Sequence, residues 1–204
     1  VDEIIAFYER QKISRFNFWL SPCAQLAEIR GWLTERGFRL FEDTGYPTLL
    51  RPAESLPARH TDLVIRRVSG EEVESHLSEI ELIFADPRFR PYFAESCGSP
   101  GLEHFLAFEG DTAVAGGILA VDGDTACLGY MATTEAHRGK GAQSQMIVAR
   151  INRAVEVNCE WAVSETLYFL ERSLRNLKRA GFEIVYDKEV YEFGAGGGPA
   201  GVRV

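Results

Sequence analysis

Residues 131–146 read Met-Ala-Thr-Thr-Glu-Ala-His-Arg-Gly-Lys-Gly-Ala-Gln-Ser-Gln-Met. The middle of this stretch, Arg138-Gly139-Lys140-Gly141-Ala142, has the residue types that hold an anion. At the start of a helix the first backbone N–H groups have no carbonyl partner, and the helix dipole adds positive potential there. The glycines let the backbone approach a diphosphate without Cβ clashes. Arg138 and Lys140 add formal charge. Cations are unfavourable at that end of a helix dipole, so an anionic ligand accounts for them better than stability does.

Such a site needs a strand ahead of the turn and a helix behind it. Residues 125–133 are strand-like. In 144–157 the apolar Met146, Ile147, Ala149, Ile151, Ala154 and Val155 recur at helical spacing. Two phosphate-loop patterns fail. Lys140 is followed by Gly141, not Ser or Thr, and Ser144 stands where the dinucleotide fingerprint needs its third glycine.

The third pattern fits. Arg138-Gly-Lys-Gly141-Ala-Gln143 resembles the Q/R-x-x-G-x-G/A turn of the GNAT superfamily of N-acetyltransferases, with Gln143 in place of the usual small residue. The order of elements from residue 63 onward also resembles that family. It runs strand 63–68, helix 71–85, strands 104–108, 112–121 and 125–133, helix 139–157, strand 160–164, helix 171–179, and closing strands 182–186 and 189–193. Residues 86–100 form a loop or short helix. Glu109-Gly-Asp and Asp122-Gly-Asp are hairpin turns, and Gly116-Gly117 permits a bulge in the middle strand. The expected fold is therefore mixed α/β, with a central mixed sheet flanked by helices.

Ahead of this lie a helix over 2–10, a strand over 16–20, a helix over 25–36 stopped by Gly37, and strands over 38–42 and 46–51. Residues 51–62, with Pro52 and Pro57, read as a linker. Residues 33–43 and 177–187 share Leu, Gly, Phe and Asp in register. Either helix–Gly–strand units simply look alike, or residues 1–60 are a partial GNAT-like unit acting as scaffold or lid. The expected division is thus 1–60, a GNAT domain over 61–194, and a glycine-rich tail over 195–204.

The resemblance implies acetyl-CoA as co-substrate. Arg138, Gly139, Lys140, Gly141, Ala142 and Gln143 would hold its pyrophosphate. Backbone groups of Met131, Ala132 and Thr133 would bond its pantetheine arm where strands four and five part, and an amide near Met131 or Ala132 would polarise the thioester carbonyl. Ser173 and Asn176, in the helix expected beside the cofactor, are further cofactor-binding candidates; Asn176 would bond the pantetheine or the thiol region, or else face solvent. Many family members carry a tyrosine acid where this chain has Leu177, so Tyr168 and Tyr130 are the substitute acids. Glu165, directly after strand five, is the candidate base or amine-binding carboxylate. Asp86, Glu95, Glu103 and Glu165 suggest a cationic acceptor.

Composition narrows the partners. The 204 residues carry a net charge of −8 with 46% hydrophobic content, and the pI is near 5.1. A chain of this length buries roughly 70% of its unfolded surface. An acidic balance argues against nucleic acid, and no apolar run is long enough for a membrane span. No signal peptide opens the chain, and Cys23, Cys97, Cys127 and Cys159 show no paired or metal-ligand spacing, so a reduced cytoplasmic setting is expected, with Cys127 and Cys159 as buried thiols. His60, His76, His104 and His137 are dispersed, and no metal is expected. The expected acceptor is a small-molecule or peptide amine, and the reading leaves room for a homodimer. Besides an acetyltransferase, it leaves open a catalytically inactive acyl-CoA sensor and a protein-interaction module built on the N-terminal unit.

Overall fold

The computed structural model describes residues 1–22, 25–41, 45–58, 61–85 and 89–194, without the side chains of residues 89 and 90. Cys23, Glu42, Asp43, His60, Asp86 and the expected tail lie outside the described residues. The chain forms two compact units, which cut the sequence differently from a division at residue 60. One comprises Val1–Thr48, Thr166–Glu171 and Ile184–Val204, the other Leu49–Glu165 and Arg172–Glu183.

The smaller unit contains α1 (Asp2–Arg10), β1 (Phe16–Leu20), α2 (Leu26–Glu35) and β2 (Arg39–Leu40). From the end of the chain it takes all but the first residue of β9 (Glu183–Phe193). β1 runs antiparallel to β9, pairing Phe16 with Phe193 and Leu20 with Glu189. β9 is one continuous strand where the sequence suggests two: Asp187 and Lys188 read as a break, yet Asp187 is exposed and Lys188 half-buried, so the strand carries both without burying a charge. The core here is aromatic, with Phe16, Leu20, Leu33, Phe38 and Tyr191 buried together.

The larger unit holds the end of β3 (Tyr46–Pro52), then β4 (Val64–Val68), α3 (Gly70–Ser75), α4 (Leu77–Phe84), α5 (Phe89–Ser96), β5 (Leu102–Glu109), β6 (Thr112–Asp122), β7 (Thr125–Thr133), α6 (Ala142–Glu156), β8 (Trp161–Glu165) and all but the first residue of α7 (Glu171–Arg179). Its sheet runs β3-β8-β7-β6-β5-β4. The β4–β5, β5–β6 and β6–β7 pairs are antiparallel and β7–β8 is parallel. Helices cover both faces, as two adjacent glycines of β6 show. A Cβ on Gly116 would meet Phe84 of α4, and one on Gly117 would meet Arg150 of α6; consecutive strand residues point to opposite faces. Covered on both sides, the middle strands carry near-continuous apolar runs.

The helix expected over 71–85 is two helices. Ser69 caps α3 in a capping box with Glu72, and the chain leaves helical geometry at His76. The apolar spacing runs through the break, which hides it from the sequence. The expected linker is tied down, since Leu56 and Asn152 of α6 exchange hydrogen bonds of 2.8 and 3.0 Å.

The resemblance between 33–43 and 177–187 coincides with a shared local geometry. At each helix end a glycine stands at positive φ, Gly37 at +82° and Gly181 at +88°. Each following Phe N–H bonds back to the leucine carbonyl, Phe38 to Leu33 and Phe182 to Leu177, at 3.1 Å in both cases. This is the Schellman termination, which asks for Gly at that position and an apolar pair around it. Leu, Gly and Phe thus recur where the same helix end recurs.

Candidate active site

After β7 the chain makes one 3₁₀ turn (Glu135–His137), extends at Arg138, and passes through two left-handed glycines, Gly139 at φ +86° and Gly141 at φ +84°, into α6. Gly141 is the N-cap, and no side chain caps the helix. The first amides of this 15-residue helix are therefore available to an anion. A Cβ on Gly139 would meet nothing within 4 Å, so glycine serves the backbone angle and leaves open space in front of the turn. That fits a diphosphate.

The charges around the turn are less one-sided than the sequence suggests. Lys140 Nζ donates to Glu109 Oε1 at 2.8 Å. His137 links Glu109 Oε2 (Nε2, 3.0 Å) to Thr134 Oγ1 (Nδ1, 2.8 Å). The Lys140 ammonium, then the His137 ring, hold the Glu109 carboxyl below its ordinary range. Arg138 is exposed, and among the described residues it has no ion-pair partner. Thr61 Oγ1 donates to the Lys140 carbonyl at 2.9 Å and steadies the turn.

Gln143, Ser173 and Asn176 are brought together. Gln143 Nε2 donates to Ser173 Oγ at 3.1 Å, and Asn176 Nδ2 donates to Gln143 Oε1 at 2.7 Å. Ser173 and Asn176, three apart on α7, share one face. The side chain that departs from the expected pattern thus fastens α6 to α7, while its backbone amide stays in the first helical turn.

On the sheet side, β7 and β8 pair from Thr125–Trp161 to Leu128–Ser164, where Ser164 Oγ also donates to the Leu128 carbonyl at 3.0 Å. The ladder stops there, yet β7 runs on to Thr133. Met131, Ala132 and Thr133 lie in this unladdered part, half-buried, and Glu165 is the first residue of β8 beyond the last rung. On its other edge β7 carries a bulge. Ile118 pairs with Gly129 and Gly116 with Ala132, so Tyr130 and Met131 together face Gly117. The bulge allowed by Gly116-Gly117 is therefore an extra residue in β7, with the small residues of β6 opposite it. Tyr130 sits at φ +42°, a strained angle for a side chain of its size. Its ring is half exposed and lies 5.1 Å from that of Tyr92 on α5. Burial, and then Tyr130 itself, push the Tyr92 hydroxyl pKa up.

Tyr168 belongs to the smaller unit, where its hydroxyl donates to Asp187 Oδ1 at 2.9 Å. Burial and then that carboxylate raise its pKa, so its proton is held more tightly than in a free phenol. Glu103 is not a free acidic patch, because Arg153 binds it through Nε and Nη2 at 2.8 Å and Arg67 adds 3.0 Å. Leu177, at the position of the expected but absent tyrosine, is 3% exposed. Cys159 is buried, whereas Cys127 is only partly so. Glu109 and Tyr92 are contributors that the sequence does not single out: the first reads as a hairpin turn, the second as part of a proline- and aromatic-rich stretch.

A model of the acetyltransferase (GNAT) family matches residues 70–182, more than half of the chain. A GCN5-related N-acetyltransferase from Sphaerobacter thermophilus superposes with a TM-score of 0.71 at 13% identity, covering 99% of this chain and 68% of that one. One from Kribbella flavida gives 0.65 at 17% identity, covering 96% and 74%. A tandem GNAT protein from the clavulanic acid biosynthesis pathway gives 0.69 at 15%, covering 95% and 68%. At these identities the superpositions speak to fold alone. No curated protein matches the chain.

Proposed function

Because the chain belongs to the acetyltransferase (GNAT) family, we propose that it moves an acetyl group from acetyl-CoA to a primary amine of a small molecule or peptide by direct attack of the amine. The observation that carries this is the pairing of an uncapped α6 N-terminus with a β7 edge that outruns its β8 ladder. The first suits a diphosphate and the second an extended arm that needs backbone partners. Acetyl-CoA supplies the activated thioester; the chain supplies grip and geometry.

In this reading Arg138, Gly139, Lys140, Gly141, Ala142 and Gln143 hold the pyrophosphate. Ser173 and Asn176 act there through Gln143. Backbone groups of Met131, Ala132 and Thr133 line the arm, and an N–H at Met131 or Ala132 faces the acyl oxygen. Glu165 attracts the incoming ammonium and takes its proton directly or through water. Tyr130 is the donor for the departing sulfur, in preference to Tyr168, whose hydroxyl is engaged by Asp187.

Calorimetric titration with acetyl-CoA, beside an Arg138→Ala, Gly141→Glu double variant, tests the site. Micromolar binding that the variant loses is expected. An amine panel with free-thiol detection then tests transfer. Absence of both heat and thermal shift with any acyl-CoA overturns the reading. Leu177, buried in place of the expected tyrosine acid, favours one alternative, an inactive acyl-CoA-binding sensor. Binding without turnover across the panel would select it.

A further inference from the structure

Arg150 lies on the face of α6 that packs against the sheet and is 1% exposed. Its Nε donates to the Met146 carbonyl one turn back at 3.2 Å. Its Nη1 donates to two carbonyls at once, Ile118 of β6 at 3.0 Å and Gly129 of β7 at 2.9 Å. Among the described residues no carboxylate pairs with it. Burying a guanidinium without a counter-ion is costly. A methionine would fill similar space without that cost, so packing does not account for an arginine here.

Its two sheet carbonyls are not arbitrary. Ile118 and Gly129 are the pair directly before the bulge at Tyr130 and Met131. Opposite the bulge is Gly117, where a Cβ would stand 3.1 Å from Arg150 Nη1, 3.2 Å from Cζ and 3.4 Å from Met131 Sδ. A side chain at 117 would thus press on the guanidinium. An arginine in the core, a glycine beside it and a tyrosine at φ +42° meet at one rung.

We infer that Arg150 is a positioning residue: by holding both carbonyls of the Ile118–Gly129 rung it sets the shape of the β7 bulge, and with it the direction of the Met131 and Ala132 N–H groups. The clamp stands on geometry; its consequence for turnover rests on the acyl-transfer reading above. A planar guanidinium fixes two acceptors in one arrangement, whereas an ammonium is a point charge on a flexible stem.

The test compares wild type with Arg150→Met, Arg150→Lys and Gly117→Ala by hydrogen exchange, acetyl-CoA titration and free-thiol release. In the Met and Ala variants, exchange over 129–133 is expected to quicken about tenfold with α4 and α5 unchanged. The Kd for acetyl-CoA should stay within about threefold while kcat falls roughly 100-fold, as misplaced groups cost rate more than binding. Arg150→Lys should recover part of both losses. Unchanged exchange and kcat in Arg150→Met and Gly117→Ala would overturn the inference. Exchange rising evenly across the whole unit in both would also overturn it, by making Arg150 an ordinary core residue. If wild type itself neither binds nor turns over acetyl-CoA, the acyl-transfer reading falls, and the exchange pattern alone still decides the clamp.

Discussion

Gln143 on α6 and Asn176 on α7 are joined by a 2.7 Å hydrogen bond, and the same Gln143 side chain donates to Ser173 at 3.1 Å. Both ends of one amide are used, in a partly buried position where water competes poorly. Gln143→Ala is expected to cost about 1–2 kcal/mol in urea unfolding. A cycle with Asn176→Ala should return a coupling of about 1 kcal/mol between the two. Additive losses would mean that each side chain is anchored by something else.

Glu109 sets the charge of the turn. Its carboxylate takes Lys140 and His137 together. Glu109→Gln leaves the fold intact and frees the Lys140 ammonium. Acetyl-CoA should then bind roughly threefold tighter at low ionic strength. The gain should shrink at high salt, since both groups are exposed. Weaker binding would show that Glu109 is needed to shape the loop.

The two tyrosines can be ranked. Tyr130→Phe is expected to lower kcat about 100-fold, in the range of a lost proton donor. Tyr168→Phe should change kcat less than about fivefold, because its hydroxyl already serves Asp187. The reverse order in steady-state kinetics would exchange the assignments.

His104 gives the pH dependence of stability. It is buried, hydrogen-bonded to Ser96 Oγ through Nε2 at 2.9 Å, and burial lowers its pKa to about 4. In the unfolded chain it takes its proton near pH 6.5. The folded state thus holds fewer protons between these values, and stability falls as pH falls. The contribution is fully present above about pH 6.5 and is lost toward pH 4. From pH 7 to pH 5 the loss from this one ring is about 2 kcal/mol. His104→Gln, which keeps a partner for Ser96 but cannot titrate, should remove that slope from unfolding curves measured at both pH values.

The turn, its strand and its helix were legible because local chemistry sets all three: Gly139 and Gly141 need positive φ, and the stripe from Met146 to Ala154 has helical spacing. Short-range signals failed where the deciding partner is distant in sequence. Lys140 gives no hint of Glu109, about thirty residues earlier. The opposite failure occurred at His76, where apolar spacing carried on through a real helix break although Ser69 and Glu72 already spelled a helix start. Arg150 lies inside the apolar stripe of α6 and was not singled out in the sequence. Its meaning depends on two carbonyls in separate strands. Gln143 read as a departure in the turn, and only the position of α7 reveals it as a strut.

The bulge in β7 also breaks the two-residue alternation of that strand. Gly129 and Ala132, three residues apart, occupy successive rungs on the same face as Ile118 and Gly116. Everything downstream, including the glycine turn, is delivered one position out of step with the first half of the strand. Chain length between Leu128 and Arg138 is therefore under tight constraint. A substitution at Tyr130 leaves the path of the chain unchanged, whereas deleting that residue would turn Ala132 away from the α4 side and pull the turn back by one pleat. Homologues that share this architecture should keep the number of residues in this segment.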